Sequence, residues 1–304
     1  MTNSWIDLKN SDCIFVIGAN PVENHPASTA WINRAREKGA KLLVVDPRFS
    51  RTAAKADIYA PLRSGTDIAF LAGIANYAIE NGLYHHDYVA HYTNAAFLLH
   101  PDFKGPADLD GYFSGYNPET RAYDRSTWKY QTDAEGEPLK DLTLQDPNCV
   151  FQHLKRHLAR YTPEMVEQVT GCPKDKFLAV AAEYARTGQP GKAGTICYAM
   201  GQTQHTVGSQ NVRMMAVLQL LLGNIGVPGG GVNALRGESN VQGSTDMAVL
   251  FHIIPAYMPI PNANRHPTFR DYLDVQVKAA GKGYWKNTPK FLVSLLKAWW
   301  GDKA

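Results

Sequence analysis

Two short, nearly uninterrupted apolar runs, CIFVIG at 13–18 and KLLVVD at 41–46, bracket a turn-rich ANPVENHP and a helical pattern from Ala27 to Lys38. Strands that read as continuous hydrophobic runs are covered on both faces, and a helix between two of them is the crossover that a parallel pair requires. The chain therefore opens as a strand–helix–strand unit of a doubly wound α/β fold, whose ligands bind outside the carboxyl ends of the strands. DIYAPL, from Asp57 to Leu62, reads as a third strand. RSGTD then supplies a glycine turn and a Thr or Asp N-cap for an apolar helix from about Ile68 to Glu80. Strand ends at Gly18, Asp46 and Gly65 so present backbone donors, a carboxylate and a helix terminus along one rim, an arrangement that suits a nucleotide. Asp46 alone also fits a plain turn-former at a strand end.

From Pro101 to Pro147 neither helical nor alternating periodicity persists, and Gly, Pro, Asp and Tyr dominate, as in a long surface insertion. Order returns with FQHLKRHLARY and with TPEMVEQVTG, where Thr162 caps, Pro163 takes the first helical position and Gly171 ends the helix. TICYAM, ending at Met200, reads as the next buried strand, and GQTQHTVG turns into an apolar helix from about Gln210 to Leu222. The tail FLVSLLKAWWG, from Phe291 to Gly301, is short and carries one lysine, so it reads as a buried helix rather than a membrane-surface one.

At 304 residues, 44% hydrophobic and 19% charged, the chain has the composition of a globular protein long enough for two domains. Its formal charge of +3 is not gathered into a Lys/Arg block, which argues against nucleic acid or an anionic membrane as partner. No stretch is long enough to span a bilayer, and MTNSWIDLKNSD is too polar for a signal peptide. Cys13, Cys149, Cys172 and Cys197 form no CxxC pair and read as small core hydrophobes rather than metal ligands.

The glycine run GNIGVPGGGVN at 223–233 leads into RGESNVQG at 236–243. Arg236 offers a permanent charge and a planar fork matched to a carboxylate, while glycines before it let a phosphate or a planar ring come close. The combination predicts a small anionic substrate beside a large phosphorylated cofactor. The bland alternative makes Arg236 a loop clamp, and Arg213, within the apolar helix, fits a structural ion pair. His205 lies in a glycine-flanked turn and suits a proton relay or a structural hydrogen bond. His85 and His86 read as surface, and His25, before Pro26, as a contact to backbone or phosphate.

GANPVENHP, VVDPR, RSGTD, AMGQTQHTVG, GNIGVPGGGVNALRG and NVQGSTDM, in this order along essentially the whole chain, resemble the catalytic subunits of molybdenum- or tungsten-dependent formate dehydrogenases. These belong to the bis-pterin oxidoreductase superfamily. The insertion GYFSGYNPETRAYDRSTWKY and the segment QHTVGSQNVR are similar to the respiratory, extracytoplasmic branch, which implies a periplasmic location. The resemblance implies a bis(molybdopterin guanine dinucleotide) cofactor carrying molybdenum or tungsten. It implies that Gly18 and Asn20 lie near the phosphates, Glu23 beside the nucleotide, and Asp46, Arg48, Gly65 and Asp67 near the guanosine. By the same resemblance Met200, Gly201 and Gln204 are expected to approach the pterin and metal, Gly237 to meet the cofactor, and Arg236 to hold the carboxylate of formate. Glu238 stands where some members have glutamine. The implied reaction is formate to carbon dioxide, a proton and two electrons, which leave through iron–sulfur clusters toward an iron–sulfur subunit and a membrane cytochrome subunit. Rival readings are a nitrate-reductase-like relative and a non-catalytic cofactor-binding scaffold. A nicotinamide dehydrogenase is disfavoured, because ANPVENHP is not the compact GxGxxG turn.

In the resembled enzymes the metal ligand, selenocysteine or cysteine, and the histidine after it precede the stretch that begins here with MTNSWIDLKN, and the [4Fe-4S] cysteines lie further upstream. The resemblance thus implies an internal segment of a longer catalytic subunit; a selenocysteine codon read as a stop is one route to a start at Met1. The expected division is a cofactor-binding α/β domain over 1–238, with the insertion at 101–147, followed by the start of a second α/β domain over 239–304.

Overall fold

The computed structural model describes residues 1–237, 241–280 and 283–303. It divides into two compact units, Met1–Leu235 and Arg236–Ala304. In the first, β1 (Cys13–Ile17) is followed by the short α1 (Pro21–Asn24), α2 (Thr29–Arg36) and β2 (Lys41–Val45). Next come β3 (Ile58–Ala60), α3 (Asp67–Glu80) and α4 (His86–Tyr92). A small hairpin, β4 (Tyr116–Asn117) with β5 (Ala122–Tyr123), precedes α5 (Val150–Leu158), α6 (Pro163–Thr170) and α7 (Lys174–Ala185). β6 (Gly194–Tyr198), α8 (Met200–Thr203), α9 (Gly208–Leu221) and β7 (Val232–Ala234) complete the unit. Met200 therefore starts a helix instead of ending the strand.

The sheet runs β3-β2-β1-β6-β7 and every pair is parallel, with Cys13 opposite Lys41 on one side and Gly194 on the other. Strand side chains alternate between faces, so the continuous apolar runs feed two cores at once. Phe15, Ile17, Leu43, Val45 and Ile196 pack on one face beneath α3, α7 and α9, whereas Ile14, Val16, Leu42, Val44 and Cys197 pack on the other with Ile32 and Ala35 of α2. Each of the large aliphatic or aromatic side chains buried here contributes roughly 1.5–3 kcal/mol. The cap grammar of α6 is as the sequence reads: Thr162 Oγ1 accepts from the Met165 N–H at 3.3 Å, Pro163 occupies the first turn, and Gly171 ends the helix at φ +68°. All four cysteines are buried and free.

The insertion has more order than its composition announces. Tyr112 stacks on Tyr116 at 4.2 Å, and single bridges pair Leu98 with Cys149 and Leu99 with Tyr130. Asp141 gathers the loop that follows. Its carboxylate accepts from the Thr143 hydroxyl at 2.6 Å and from the N–H groups of Thr143, Gln145 and Asp146 at 2.7–2.9 Å. These bonds, the Thr143 hydroxyl foremost, hold its carboxyl down at about 2.

The second unit contains α10 (Val241–Asp246), an antiparallel pair of β8 (Ile253–Ile254) with β9 (Met258–Pro259), α11 (Phe269–Ala280) and α12 (Thr288–Trp300). Its core is small, formed by Met258, Tyr272 and Leu292. The expectation of a buried C-terminal helix is corrected: α12 buries Thr288 and Leu292, while Val293, Trp299 and Trp300 are 56%, 53% and 58% exposed. A core of this size cannot cover a helix that is apolar on more than one side. Among the described residues no helix is long and apolar enough to cross a membrane.

Candidate functional site

Between β3 and β6 the chain leaves the sheet and returns on the far side of β1, so strand order reverses between β1 and β6. Turns diverge from the sheet at such a point and leave a crevice at the carboxyl ends. A cleft of about 340 Å3 lies there, built by the turns after β1, β2, β3 and β6. Gly18 closes the first turn at φ +58°, and the Gly201 N–H donates to its carbonyl at 3.2 Å. The two backbones meet so closely that a Cβ on Gly201 would stand 2.6 Å from the Gly18 oxygen.

Of the residues singled out in the sequence, Gly18, Asn20, Asp46, Arg48, Asp67, Met200 and Gly201 line this cleft. The side chain of Asn20 is spent on the protein: its Oδ1 accepts from the Thr52 hydroxyl at 2.7 Å, and its amide donates to Glu23. Asp46 Oδ1 accepts from the Arg48 N–H at 2.9 Å. Burial pushes the Asp46 carboxyl above its ordinary range, and the like charge of Asp67 adds to that push. Glu23, Gly65 and Gln204 stand outside the lining. Glu23 pairs with Arg51 at 3.4 Å, Gly65 precedes α3 beside His205, and Gln204 donates to the Met200 sulfur at 3.1 Å. Arg236 and Gly237 open the second unit, and both are exposed. Glu238 lies outside the described residues.

Sequence reasoning passed over Gln202. It is 1% exposed, lines the cleft, and donates from Nε2 to Asp67 Oδ1 at 2.6 Å. Asp67, at the first turn of α3, is 4% exposed. Asp67 Oδ2 and Gln202 Oε1 are both buried without a hydrogen-bond partner. The available signal was the pair of glutamines at 202 and 204, since residues two apart on a helical turn face different ways. Only one of them can point inward.

Several other expectations need correction. The glycine run at 223–231 precedes β7 and so lies at the amino edge of the sheet, opposite the cleft. There Ser11 Oγ donates to the Gly229 carbonyl at 2.6 Å, the Gly229 N–H donates to Asp7, and Gln219 Nε2 donates to the carbonyls of Gly194 and Gly231. A Cβ on Gly229 would clash with the Asn10 backbone and one on Gly230 with the Asn224 carbonyl oxygen, so both glycines pack against backbone. Arg213 is exposed and makes no ion pair among the described residues. His85 is partly buried, accepts from the Tyr88 N–H at 3.3 Å and packs on Gly223. The His25 ring lies 5.0 Å from that of Trp5, tilted by 35°, in keeping with no single one of its expected contacts, and His205 lines the cleft and meets the Gly201 carbonyl at 2.8 Å, as a structural hydrogen bond would. Thr66 does not cap α3 with its side chain, which donates instead to the Arg63 carbonyl at 2.6 Å.

An all-parallel sheet whose switch-point cleft offers turn backbone, the N-terminus of a long helix and two carboxylates is a doubly wound α/β domain with a ligand-sized crevice at its switch point. Among the described residues no cluster of three or more His, Cys, Asp or Glu is placed to hold a metal, so any metal arrives within a larger ligand or on other residues. The molybdopterin oxidoreductase family profile matches residues 1–294, and the chain belongs to that family. The chain is 53% identical, over all of its length, to formate dehydrogenase 2 subunit alpha (cytochrome c-553) of Nitratidesulfovibrio vulgaris. It is 50% identical, again over its whole length, to the major subunit of the nitrate-inducible formate dehydrogenase of Escherichia coli. It spans about 30% of the length of each. Acetylene hydratase from Pelobacter acetylenicus superposes with a TM-score of 0.47 at 20% identity, over 74% of this chain and 24% of that one.

The family implies a molybdopterin cofactor, and the cleft residues suit a phosphate-bearing group with N–H donors. Two buried acceptors without partners, on Asp67 and Gln202, are complementary to ligand N–H groups. Turn N–H groups and the Arg48 guanidinium are complementary to phosphate.

Proposed function

We propose that this chain is the cofactor-holding central part of the catalytic subunit of a formate dehydrogenase. The observation that supports it most is the switch-point cleft with its unsatisfied buried acceptors, in a chain about half identical throughout to formate dehydrogenase catalytic subunits. In this reading the cofactor is molybdopterin guanine dinucleotide carrying molybdenum or tungsten. Backbone N–H groups near Gly18 and Gly65 and the N-terminus of α3 take its diphosphate, Arg48 adds charge, Asp46 accepts from ribose hydroxyls and Asp67 from the base. Met200, Gly201 and Gln204 stand on the pterin side, and Gly237 follows the substrate arginine. When bound, the cofactor supplies a redox centre able to take two electrons from formate and release them singly.

Arg236 follows Leu235 just beyond the carboxyl end of β7, and its role is to hold the formate carboxylate and so orient the C–H bond. Electron acceptance by an iron–sulfur subunit, with a membrane cytochrome subunit beyond it, and an extracytoplasmic location complete the proposal. The test is Arg236→Gln and Arg236→Lys in the whole catalytic subunit, read as formate-dependent dye reduction with metal content measured in parallel. Loss of a charge-assisted pairing of about 1.5–3 kcal/mol predicts a fall in kcat/KM of roughly 10- to 150-fold for glutamine, with lysine partly active. Activity within about twofold of the parent at unchanged metal content would sink the assignment.

A further inference from the structure

We infer that the insertion and α5 together form a self-complementary surface through which two copies of this chain pair about a two-fold axis, the acidic, ring-rich insertion of each copy lying against the basic outer face of α5 on the other. The inference goes beyond the cofactor reading above and does not depend on it.

The insertion differs from the rest of the chain in charge. From Pro101 to Pro147 there are ten Asp or Glu against five Lys or Arg, in a chain that carries 28 against 31 overall. It also leaves rings in solvent: Tyr112, Phe113 and Trp128 are 45%, 38% and 38% exposed. These rings belong to one string that reaches α5. Trp128 meets Phe113 with ring centres 5.4 Å apart, Phe113 meets Phe103 at 6.3 Å, and Phe103 meets His153 of α5 at 5.9 Å. In the other direction Tyr123 and Tyr116 of the hairpin link Trp128 to Tyr112 through centre distances of 4.2–5.3 Å. Rings already fixed against one another lose little freedom when a partner covers them, and Tyr, Trp and Phe are enriched at the centres of interfaces.

The helix supplies the opposite charge. From Val150 to Tyr161 the sequence holds no Asp or Glu. Lys155, Arg156 and Arg160 are exposed, and the Arg156 guanidinium lies 3.1 Å from His153 Nδ1, at the end of the ring string. Among the described residues none of these three cations is paired with a carboxylate, and the exposed Asp108 and Glu119 of the insertion are not paired with a cation. Two unpaired patches of opposite sign, side by side on one string of rings, are what a two-fold interface needs, because a half-turn lays each on its complement. An unrelated basic protein would match the insertion alone and leave α5 facing like charge.

The test is sedimentation velocity of the full chain at about 0.1 M and about 1 M salt, where the Debye length falls from about 10 Å to about 3 Å. The melting temperature of each variant is recorded alongside. The parent is expected to dimerise, with a dissociation constant at least about tenfold higher at the upper salt. One copy carrying Asp108→Lys and Glu119→Lys, and another carrying Lys155→Glu and Arg156→Glu, each set like charges together, and self-pairing of each is expected to weaken at least about tenfold. Mixed, the two copies are expected to pair more tightly than either does with itself, since each reversed patch then meets its complement. Lys155→Gln with Arg156→Gln only removes charge; it is expected to weaken pairing at least about threefold and keeps the test decisive if a reversed copy does not fold. A parent chain that stays monomeric overturns the inference. So does association that neither salt nor these substitutions alter, which would place the contact on some other surface, and so does the failure of two folded, oppositely reversed copies to pair.

Discussion

Replacing Gly201 by alanine strikes the seam that joins the turns after β1 and β6. The new Cβ would stand 2.6 Å from the Gly18 oxygen, 2.8 Å from its Cα and 2.9 Å from its carbonyl carbon. Comfortable carbon contacts lie at about 3.5–4.0 Å, so the overlap is roughly 0.6–1 Å, and it falls on backbone that no rotamer change can move. Relief requires the turns to part, stretching the 3.2 Å bond from the Gly201 N–H to the Gly18 carbonyl. Overpacking of this kind costs about 1–3 kcal/mol and the weakened bond about 0.5–1.5. Alanine's advantage over glycine in a helix returns up to about 1 kcal/mol. A net loss of about 2 kcal/mol lowers the melting temperature of a unit this size by roughly 4–8 °C in scanning calorimetry. Gly105→Ala, where a Cβ meets nothing within 4 Å, is the control and is expected to stay close to the parent. If Gly201→Ala melts within about 1 °C of the parent and keeps its nucleotide binding, the close approach is not what shapes the cleft, and the reasoning fails.

Acid should act on the insertion through Asp141. The Asp141 carboxyl titrates at about 2 in the folded chain against an ordinary 3.8, so its stabilising contribution is present above about pH 4 and is lost as pH falls toward 2. Asp141→Asn is expected to remove that dependence and to speed hydrogen exchange at the Gln145 and Asp146 amides; unchanged exchange would contradict it. Burial lifts the thiols of Cys197 to about 12 and Cys172 to about 11. For Cys197 this leaves roughly one thiolate in ten thousand at pH 8, so a disulfide reagent should find no fast thiol in the native chain and all four after denaturation.

The sheet was legible because a central parallel strand leaves a plain trace. All five residues of β1 are apolar and buried, and the helix between β1 and β2 announces a crossover of known hand. Residues at the ends of those strands were legible for the same reason, since topology places them along one edge whatever the turns do. Adjacency in sequence misled where it was taken for adjacency in space. The glycine run lies a few residues from Leu235, yet β7 stands between them and carries the two to opposite edges of the sheet. Gln202 was hidden because a turn of four helical residues has too little periodicity to mark an inward face. The hairpin of the insertion was equally silent, since strands of two residues held by ring stacking leave no alternating pattern.

The strand order also sets a timetable. β2 can join β1 soon after both leave the ribosome, whereas β6, its other neighbour, is still about 150 residues from being made. At synthesis rates of about 5–20 residues per second that gap lasts roughly 8–30 seconds. Throughout it β1 has one bare edge, and the ligand cleft has only the walls supplied by the turns after β1, β2 and β3. A nascent chain thus lacks the wall made by the turn after β6 and by α8 until those residues have been made. Loading of the cleft waits for the turn after β6, and the exposed edge of β1 is the place where a holding factor would have the longest time to act.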